Sequence, residues 1–425
     1  MAHRRAANGQ DAHDRALAAA GAPCDPSAAY GEEEQDMRLG LVLLGLAYVF
    51  SQFFRAFLAV LADPLARDLG ATPDDLAQAS GLWFLAFAAM QVPVGWALDR
   101  LGPRRTASTL FLIGGAGGAI LFGLAQTPAQ VSAAMALIGV GCAPVLMGSY
   151  FIFARSFPAS AFATLGAVMI GVGSIGNLAS TVPLELLVEA AGWRATLFAL
   201  AGVTGALALA MFAFVQDPPA LEGGAKGSLL DVLRIPALWL IMPLMLVHYA
   251  PAAGLRGLWI GPYMADVQAT TAGTATLIMG LAMIAGTFAY GPLDRWLGTR
   301  KWVVAGGTLF GAAACLALWA APLAGYWTAL ALFAAVGFFG MGYPLMMAHA
   351  RANVPMHLAG RGVTLMNLFS IGGVGLMQMV TGRLHAGVAA GTDSAVAPYA
   401  AVFLLFGALL IVGLVPYLFV RDRLD

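Results

Sequence analysis

Long apolar stretches alternate with short polar ones along most of the chain. Each apolar stretch approaches the length of about 20 residues that an α-helix needs to cross roughly 30 Å of hydrocarbon. Because membrane helices tolerate internal Gly and Pro, these residues do not interrupt the pattern. The pattern predicts twelve transmembrane spans, numbered 1 to 12 in chain order: 39–62, 77–98, 106–125, 131–154, 162–188, 195–215, 237–263, 273–293, 302–322, 326–349, 362–384 and 399–420.

The polar segments divide the chain into two halves. The stretch QDPPALEGGAKGSLLDVLRIP separates spans 1 to 6 from spans 7 to 12. The first 37 residues lack the contiguous apolar region of a signal peptide and are rich in Ala, charge and turn formers, which indicates a disordered tail. The predicted all-α membrane fold therefore has a cytoplasmic tail, a six-helix bundle, a cytoplasmic loop, a second six-helix bundle and a short cytoplasmic tail: 1–37, 38–215, 216–236, 237–420 and 421–425.

Composition supports the membrane prediction and narrows the function classes. Of 425 residues, 60% are hydrophobic and 10% are charged, whereas soluble domains carry roughly a quarter charged residues. Lys and Arg balance Asp and Glu at 22 each, which gives no sign of a nucleic-acid partner. Cys24, Cys142 and Cys315 lack the spacing of a metal site. No phosphate-binding loop or nucleophile triad is present in the sequence, so we expect neither an enzyme nor a bound metal or cofactor.

The basic residues predict the orientation of the spans. Only Arg67, Arg194 and Arg383 fall on one side, and Arg55 and Arg256 lie within spans. The other seventeen basic residues fall on the side of the termini and of the central loop. Because cytoplasmic loops carry the excess of Lys and Arg, both termini are expected in the cytoplasm. The expected location is the cytoplasmic (inner) membrane of a bacterium.

The two halves repeat one another. GWALDRLGPRR begins at Gly95 and GPLDRWLGTRK begins at Gly291, 196 residues later. The same offset separates Ser174-Ile175-Gly176 from Ser370-Ile371-Gly372. Both charged loops follow the second span of their half, so the halves are predicted to be repeats of the same handedness.

The first loop resembles the signature between helices 2 and 3 of the major facilitator superfamily, and the second resembles its copy in the other half. The resemblance extends over about residues 38 to 421. The residues that carry it are Gly95, Asp99, Arg100, Gly102 and Arg104 in the first loop, and Asp294, Arg295 and Arg300 in the second. It implies alternating access, in which two six-helix bundles rock about a central site.

The resemblance also implies a gate on the cytoplasmic side. Asp99 is expected to face the start of span 11, and Asp294 the start of span 5. An acidic side chain is favoured at a helix N-terminus by the helix dipole, typically by ~0.3 to 1 kcal/mol. The alternative is that the charged loops only set topology through the positive-inside rule.

Two arginines lie inside the membrane, where an Arg costs at least ~2.5 to 3.5 kcal/mol on insertion scales and indicates a functional site. Arg55 in span 1 and Arg256 in span 7 each follow a tyrosine, Tyr48 or Tyr249, by seven residues. Seven residues make nearly two helical turns, so each Tyr shares a face with its Arg, and Gln52 joins the first face. Helices 1 and 7 line the central cavity in the superfamily, so the resemblance implies that the two guanidinium forks face each other across it. Planar forks at that place are suited to bind phosphate or carboxylate.

The alternative for both arginines is structural. Each could extend to the interface or pair with a carboxylate, for which Glu185 is the candidate partner of Arg256. The arrangement resembles the organophosphate:phosphate antiporter branch of the superfamily, in which one arginine on helix 1 and one on helix 7 hold the phosphate. The sequences around Arg55 and Arg256 depart from that branch, which favours an anion in general over an organophosphate in particular.

Further polar side chains complete the candidate site. His248 and Glu185 are candidates for proton coupling because buried groups exchange protons as a cavity opens. Hydrogen bonding within the fold is their alternative role. The remaining candidates to line the route, each with packing as the alternative, are Trp259, Tyr150, Tyr343, Asn177, Asn367 and Gln378.

Together these features predict a secondary transporter of a small organic anion, either a carboxylate or a phosphate ester, held by Arg55 and Arg256. A co-transported proton or an exchanged anion is the expected coupling partner, and the protein is expected to work as a monomer in the bilayer. One alternative is a proton-coupled transporter of a neutral or amphipathic molecule. Another is a transporter-like membrane sensor, although the central loop is short for an output region.

Overall fold

The computed structural model describes residues 26–157, 159–218, 229–355 and 358–423. All regular structure in these ranges is helical. Residues 1–25 of the predicted tail and residues 219–228 of the predicted central loop lie outside them.

In the first half, most spans contain a break or a change of helix type. Span 1 ends in a single 3-10 turn, span 3 contains a π-helical turn and span 5 is bent. The elements in chain order are Pro26–Ala56, Phe57–Ala59 (3-10), Ala62–Leu69, Pro73–Ala89, Gln91–Leu110, Phe111–Ala116 (π), Gly117–Gly123, Pro128–Ser156, Ala159–Ala179, Val182–Ala191 and Trp193–Phe214.

In the second half, the breaks concentrate in spans 7 and 10. Span 7 passes through a π-helical turn at its middle, and span 10 through a 3-10 turn. The elements are Leu229–Leu233, Pro236–His248, Ala250–Gly254, Leu255–Trp259 (π), Ile260–Asp266, Gly273–Leu297, Lys301–Ala320, Tyr326–Phe339, Gly340–Gly342 (3-10), Tyr343–Ala352, Ala359–Ala389 and Ala397–Tyr417.

Ten helices among the described residues are long and apolar enough to cross a membrane, or eleven if the bent pair of span 5 counts as one. The difference from the predicted twelve arises at span 2. Gln91–Leu110 contains Gly102 in a non-helical conformation, with φ 80° and ψ 163°. Gly102 divides this helix, so the residues after it belong to span 3. The residues before Gly102, together with the helix Pro73–Ala89, form span 2. Counted in this way, the helices lie on the twelve predicted spans.

The first helix begins earlier than its predicted span. It starts at Pro26, whereas the span was predicted from residue 39 and residues 1–37 were predicted to form a disordered tail. That prediction is wrong for residues 26–37. Ala, Glu, Gln and Met, which dominate this segment, are good helix formers, so the backbone continues the helix although the segment is too polar to span lipid.

The halves meet at one end of the bundle. We call the end that carries loops 95–105 and 291–301 the motif side, and the other end the opposite side. One buried apolar cluster runs through the first half and into the opposite-side part of the second, from Ala250 to Phe406. A separate cluster occupies the motif side of the second half. Among the described side chains, the two halves therefore share a buried core on the opposite side and not on the motif side.

Glycines allow the close approaches between spans. At the contact of spans 3 and 4, a Cβ on Gly141 would lie 2.2 Å from the backbone nitrogen of Gly115. Between the halves, a Cβ on Gly261 of span 7 would lie 2.3 Å from the carbonyl oxygen of Ala59. Small residues at such positions let membrane helices pack backbone to backbone.

We expect Gly141→Leu to destabilise the protein by about 1 to 3 kcal/mol or more, because the side chain must push the backbone of span 3 away. Gly202→Leu in span 6 is the matched control, since a Cβ there meets nothing within 4 Å. Thermal unfolding of purified protein in detergent measures both. Equal melting temperatures for the two variants would contradict the packing assigned to Gly141.

Candidate functional site

Arg55 lies half-buried in span 1 against an aromatic surface of span 2. Its guanidinium carbon is 5.4 Å from the ring centroid of Trp83 and 5.6 Å from that of Phe87. The two rings stack on each other at 5.2 Å. The buried Nε of Arg55 has no hydrogen-bond partner, and within the described residues no carboxylate forms an ion pair with Arg55. Cation–π contact holds the cation in place but leaves its charge uncompensated.

Four tyrosines from spans 1, 4, 7 and 10 surround the Arg55 region. The Tyr48 hydroxyl accepts a hydrogen bond of 2.5 Å from Nε2 of Gln52. The rings of Tyr249 and Tyr343 lie 6.1 Å apart. Tyr48, Tyr150 and Tyr343 are neighbours of one another, and Tyr48 and Tyr343 are also neighbours of Arg55. The predicted residues of four spans therefore converge on one central site.

Arg256 lies on the π-helical turn of span 7 and is only 4% exposed. Its Nη1 donates a 3.0 Å hydrogen bond to Oδ1 of Asn177 in span 5, and its Nη2 donates to the backbone carbonyl of the same residue. Its Nε is buried without a partner. Arg256 thus joins the two halves through a neutral residue, and Glu185, the partner considered from the sequence, takes no part.

The two guanidinium groups have different neighbours, and their facing each other across a cavity stays a prediction. At this depth spans 1 and 7 touch, since a Cβ on Gly257 would lie 3.3 Å from the carbonyl oxygen of Arg55. Two like charges placed together without a counterion repel strongly in a low-dielectric medium. Arg55 accordingly lies against the span 2 rings, and Arg256 against Asn177.

Trp259 was predicted to line the site, but the structure places it elsewhere. Its side chain has no exposed surface, and its indole N–H donates a 3.0 Å hydrogen bond to the hydroxyl of Thr381. It stacks near His385 and Tyr399 within the second half. Helical spacing from Arg256 does not predict this position because the π-helical turn adds an extra residue to the intervening turn.

The two candidates for proton coupling lie apart from the central site. His248 is buried inside the second half, where its Nδ1 lies 3.2 Å from the hydroxyl of Thr308. Glu185 lines a small opposite-side cavity of 130 Å³ together with Asp63, Arg67 and other residues of both halves. A coupling role for either residue stays a prediction.

Gln378 and Asn367 differ in their surroundings. Gln378 is buried and its Nε2 donates a 3.3 Å hydrogen bond to the carbonyl of Gly254, which is a packing role. Asn367 accepts a 2.7 Å hydrogen bond from the Tyr343 hydroxyl. Asn367 therefore belongs with the central tyrosines.

On the motif side, each charged loop is held by an aspartate that sequence reasoning missed. Asp217, just after span 6, accepts a 2.8 Å hydrogen bond from the backbone N–H of Arg104, and its carboxylate occupies the space that a Cβ on Gly102 would need. Asp422, just after span 12, accepts hydrogen bonds from the backbone N–H groups of Arg300 and Lys301, at 3.2 and 3.0 Å. A sequence signal existed, because both aspartates stand in Val-x-Asp after the last span of their half.

Comparison with known proteins gives the chain its family. The family model of the Major Facilitator Superfamily matches residues 44–260, which is just over half of the chain and includes Arg55, Arg256 and the first charged loop. The chain belongs to the Major Facilitator Superfamily. With its apolar helices, it is a multi-pass membrane protein of the superfamily's all-α fold.

Two relatives match part of the chain. The probable sulfoacetate transporter SauU of Cupriavidus necator is 24% identical over 179 residues, which are 42% of this chain and 41% of that protein. The probable high-affinity nitrate transporter 2.4 of Oryza sativa subsp. japonica is 27% identical over 182 residues, 40% of this chain and 37% of that protein. The chain thus matches about two fifths of the length of these relatives.

Solved structures resemble the fold over almost the whole chain. A bacterial homologue of the human lysosomal transporter Spinster, solved in an inward-facing and unoccupied conformation, superposes with a TM-score of 0.73 at 17% identity and covers 90% of this chain and 96% of that one. The nucleoside transporter NupG gives a TM-score of 0.68 at 15% identity, with coverages of 89% and 99%. At these identities the likeness shows the fold alone.

Within the superfamily loop motif, the two aspartates have partners in their own half. Asp99 pairs with Arg155 of span 4 at 3.3 Å, and the buried Asp294 pairs with Arg300 at 3.1 Å. The side chains that begin spans 5 and 11, which these aspartates were expected to face, lie outside the described part of the chain. The gating role of the loops therefore stays a prediction.

The other motif residues have simpler surroundings. Arg100 lies over the ring of Trp96, 5.2 Å from its centroid, and Arg295 is exposed. A Cβ on Gly95 would meet nothing within 4 Å, so close packing does not explain that glycine. Gly102, in contrast, needs its positive φ and the space that Asp217 fills.

Asp422→Asn should lower the thermal stability of the superfamily protein at pH 7. Partial burial alone would raise the pKa of the Asp422 carboxyl, but hydrogen bonds from Thr299 and from the Lys301 and Arg300 backbone outweigh it and hold the pKa below its ordinary value of 3.8. A pKa that is lower in the folded state stabilises the protein above about pH 4, and this stabilisation is lost as pH falls through the lowered pKa.

The measurement is thermal unfolding of both proteins as a function of pH. The difference between them should be constant above about pH 5 and should shrink below pH 4. Asp393→Asn, in the exposed loop before span 12, is the matched control. A difference that persists unchanged at the lowest pH would show that the charge of Asp422 does not stabilise the fold.

Proposed function

We propose that this protein is a secondary transporter that carries a small organic anion across the membrane by alternating access. One observation carries the proposal. Two guanidinium groups, Arg55 and Arg256, lie in the apolar interior, and neither forms an ion pair within the described residues.

A positive charge at this depth is costly unless an anion compensates it. The rings of Trp83 and Phe87 hold the Arg55 guanidinium in place, and its unused N–H donors remain available to a ligand. A planar fork binds carboxylate, sulfonate or phosphate oxygens in pairs. The tyrosine hydroxyls around Arg55 supply further donors, which suits a ligand rich in acceptor oxygens.

The relatives support an anionic substrate. One is named as a transporter of sulfoacetate and the other as a transporter of nitrate, and both compounds are small anions. Their matched regions are about two fifths of each protein, so the names add weight to the chemistry of the site and do not replace it. A carboxylate or sulfonate fits this site better than a neutral or amphipathic molecule.

The shared core on the opposite side supports alternating access, with this state open towards the motif side. By the excess of Lys and Arg around the termini and the charged loops, we assign the motif side to the cytoplasm. The state is then inward-facing, as in the Spinster homologue. A co-transported proton or an exchanged anion is the coupling partner that we propose.

Arg55→Ala and Arg256→Ala should each weaken anion binding by about 10- to 150-fold, because a charge-assisted contact contributes roughly 1.5 to 3 kcal/mol. Arg55→Lys and Arg256→Lys should stay clearly impaired, since Lys keeps the charge but loses the planar fork. The measurement is calorimetric titration of folded, purified protein with sulfoacetate, nitrate, phosphate and simple carboxylates.

Arg383→Ala, an exposed arginine at the opposite-side end of span 11, is the control and should bind like the wild type. Near-normal affinity in both alanine variants at Arg55 and Arg256 would rule out the anion site. Binding only of neutral or amphipathic compounds would favour the transporter of such molecules instead.

Tags report the proposed orientation. A tag after Asp425 should be accessible from the cytoplasm, because an even number of spans separates it from the amino terminus. A tag within residues 387–395 should be accessible from outside, because an odd number of spans precedes it. Labelling by a membrane-impermeant reagent in intact cells distinguishes them. A carboxyl-terminal tag that reacts in intact cells would overturn the orientation.

A further inference from the structure

The hydrogen bonds between Arg256 and Asn177 are a direct side-chain tie between the two halves in the interior of the bundle. They join residues 79 positions apart, on span 7 of the second half and span 5 of the first. Arg256 donates to both the side chain and the backbone carbonyl of Asn177, which fixes the guanidinium at one end of a helix.

The carbonyl of Asn177 has no backbone N–H partner within the described residues, because span 5 breaks just after it. It accepts a 2.9 Å hydrogen bond from the hydroxyl of Ser180, and a carbonyl oxygen can accept a second donor. The helix Ala159–Ala179 ends two residues later, Thr181 has non-helical φ −109° and ψ −124°, and the next helix is bent by 41°. The last carbonyls of a helix have no partner within the helix, and this end carries the negative pole of the dipole. Arg256 therefore caps the first part of span 5 from across the interface.

The partner of Arg256 is neutral, so the tie leaves the charge free to attract a ligand. A carboxylate partner would neutralise the charge, and breaking such a buried pair costs about 3 to 5 kcal/mol. A neutral amide exchanges more readily with a charged ligand. The Nε of Arg256 has no hydrogen-bond partner. It lies against Gly280, where a Cβ would be 3.0 Å away. The guanidinium can therefore change its position without breaking a bond at Nε.

The central site is within reach of this tie. Arg256 lies near Tyr249, whose ring is 6.1 Å from that of Tyr343 in the tyrosine group around Arg55. Spans 1 and 7 also touch at Arg55 and Gly257. An anion held at Arg55 therefore attracts Arg256 through the low-dielectric interior.

We propose that Asn177 is the stand-in ligand of Arg256, and that an anion entering the central site displaces it. Displacement removes the tie between spans 5 and 7 and so favours opening of the opposite side. Asn177 is then a positioning residue that couples anion binding to the change of access. The proposal rests on the proposed function, because it needs the anion.

Linkage sets what the Asn177 variants should do. If both anion binding and opening of the opposite side require Arg256 to leave Asn177, a stronger Arg256–Asn177 contact lowers both equilibrium constants by the same factor. Asn177→Ala removes the side-chain acceptor and keeps the backbone carbonyl, so anion affinity should rise by about 5- to 10-fold. Asn177→Asp adds a charged partner, so affinity should fall by at least about 10-fold.

A second readout follows the opposite side directly. Ala62 is buried near Gly261 of the other half, so Ala62→Cys reports opening by its rate of labelling with an impermeant thiol reagent. Cys142 and Cys315 are buried, and the chain without the Ala62→Cys substitution supplies the background, which includes Cys24. Labelling should be faster in Asn177→Ala than in wild type without anion, and slow in Asn177→Asp even with anion.

Sulfoacetate is the probe, and Ser174→Ala is the matched control one turn earlier on the same helix, where Ser174 bonds only within its own helix. Opposite shifts for Ala and Asp at position 177 cannot come from general misfolding.

One outcome would overturn this inference and leave the proposed function standing. In that outcome anion binding depends on Arg55, but the affinity and the labelling rate are the same in all Asn177 variants. A wild-type protein that binds no anion would refute the proposed function itself.

Discussion

A charge in hydrocarbon must be compensated or held by polar or polarisable neighbours, and much of this structure follows from that constraint. Arg55 lies against aromatic rings of span 2, and Arg256 donates to a backbone carbonyl near the end of a helix in the other half. Neither solution neutralises the charge. The proposed anionic substrate would supply the negative charge that these two cations lack.

The same electrostatic logic operates at the motif side, where the partners are carboxylates. Asp217 and Asp422 accept hydrogen bonds from the backbone at the starts of spans 3 and 9, where helix dipoles favour negative charge. Because these groups lie near water, forming or breaking each contact changes the free energy only a little. The charged loops are thereby tied to the residues that follow the last span of their own half.

Three of the helix irregularities lie where the halves meet. Span 1 turns 3-10 at Phe57–Ala59, span 7 is π-helical at Leu255–Trp259, and span 5 breaks after Ala179. Each irregularity frees or redirects backbone groups that a regular helix would satisfy internally. The break in span 5 creates the acceptor that Arg256 uses, so the interface between the halves depends on departures from the ideal helix.

The sequence by itself determined the spans, the repeat, the superfamily and the two intramembrane arginines, because hydropathy, spacing and charge are local properties of the chain. It also predicted that Tyr48 and Gln52 share a helix face with Arg55, and that Tyr249 shares one with Arg256. Only the tertiary structure decided that Arg256 bonds to Asn177 and that Trp259 packs away from the site. Periodicity gives the face of a residue on its own helix, but the rotation of that helix against its neighbours, and the breaks that change it, depend on packing between spans far apart in the chain.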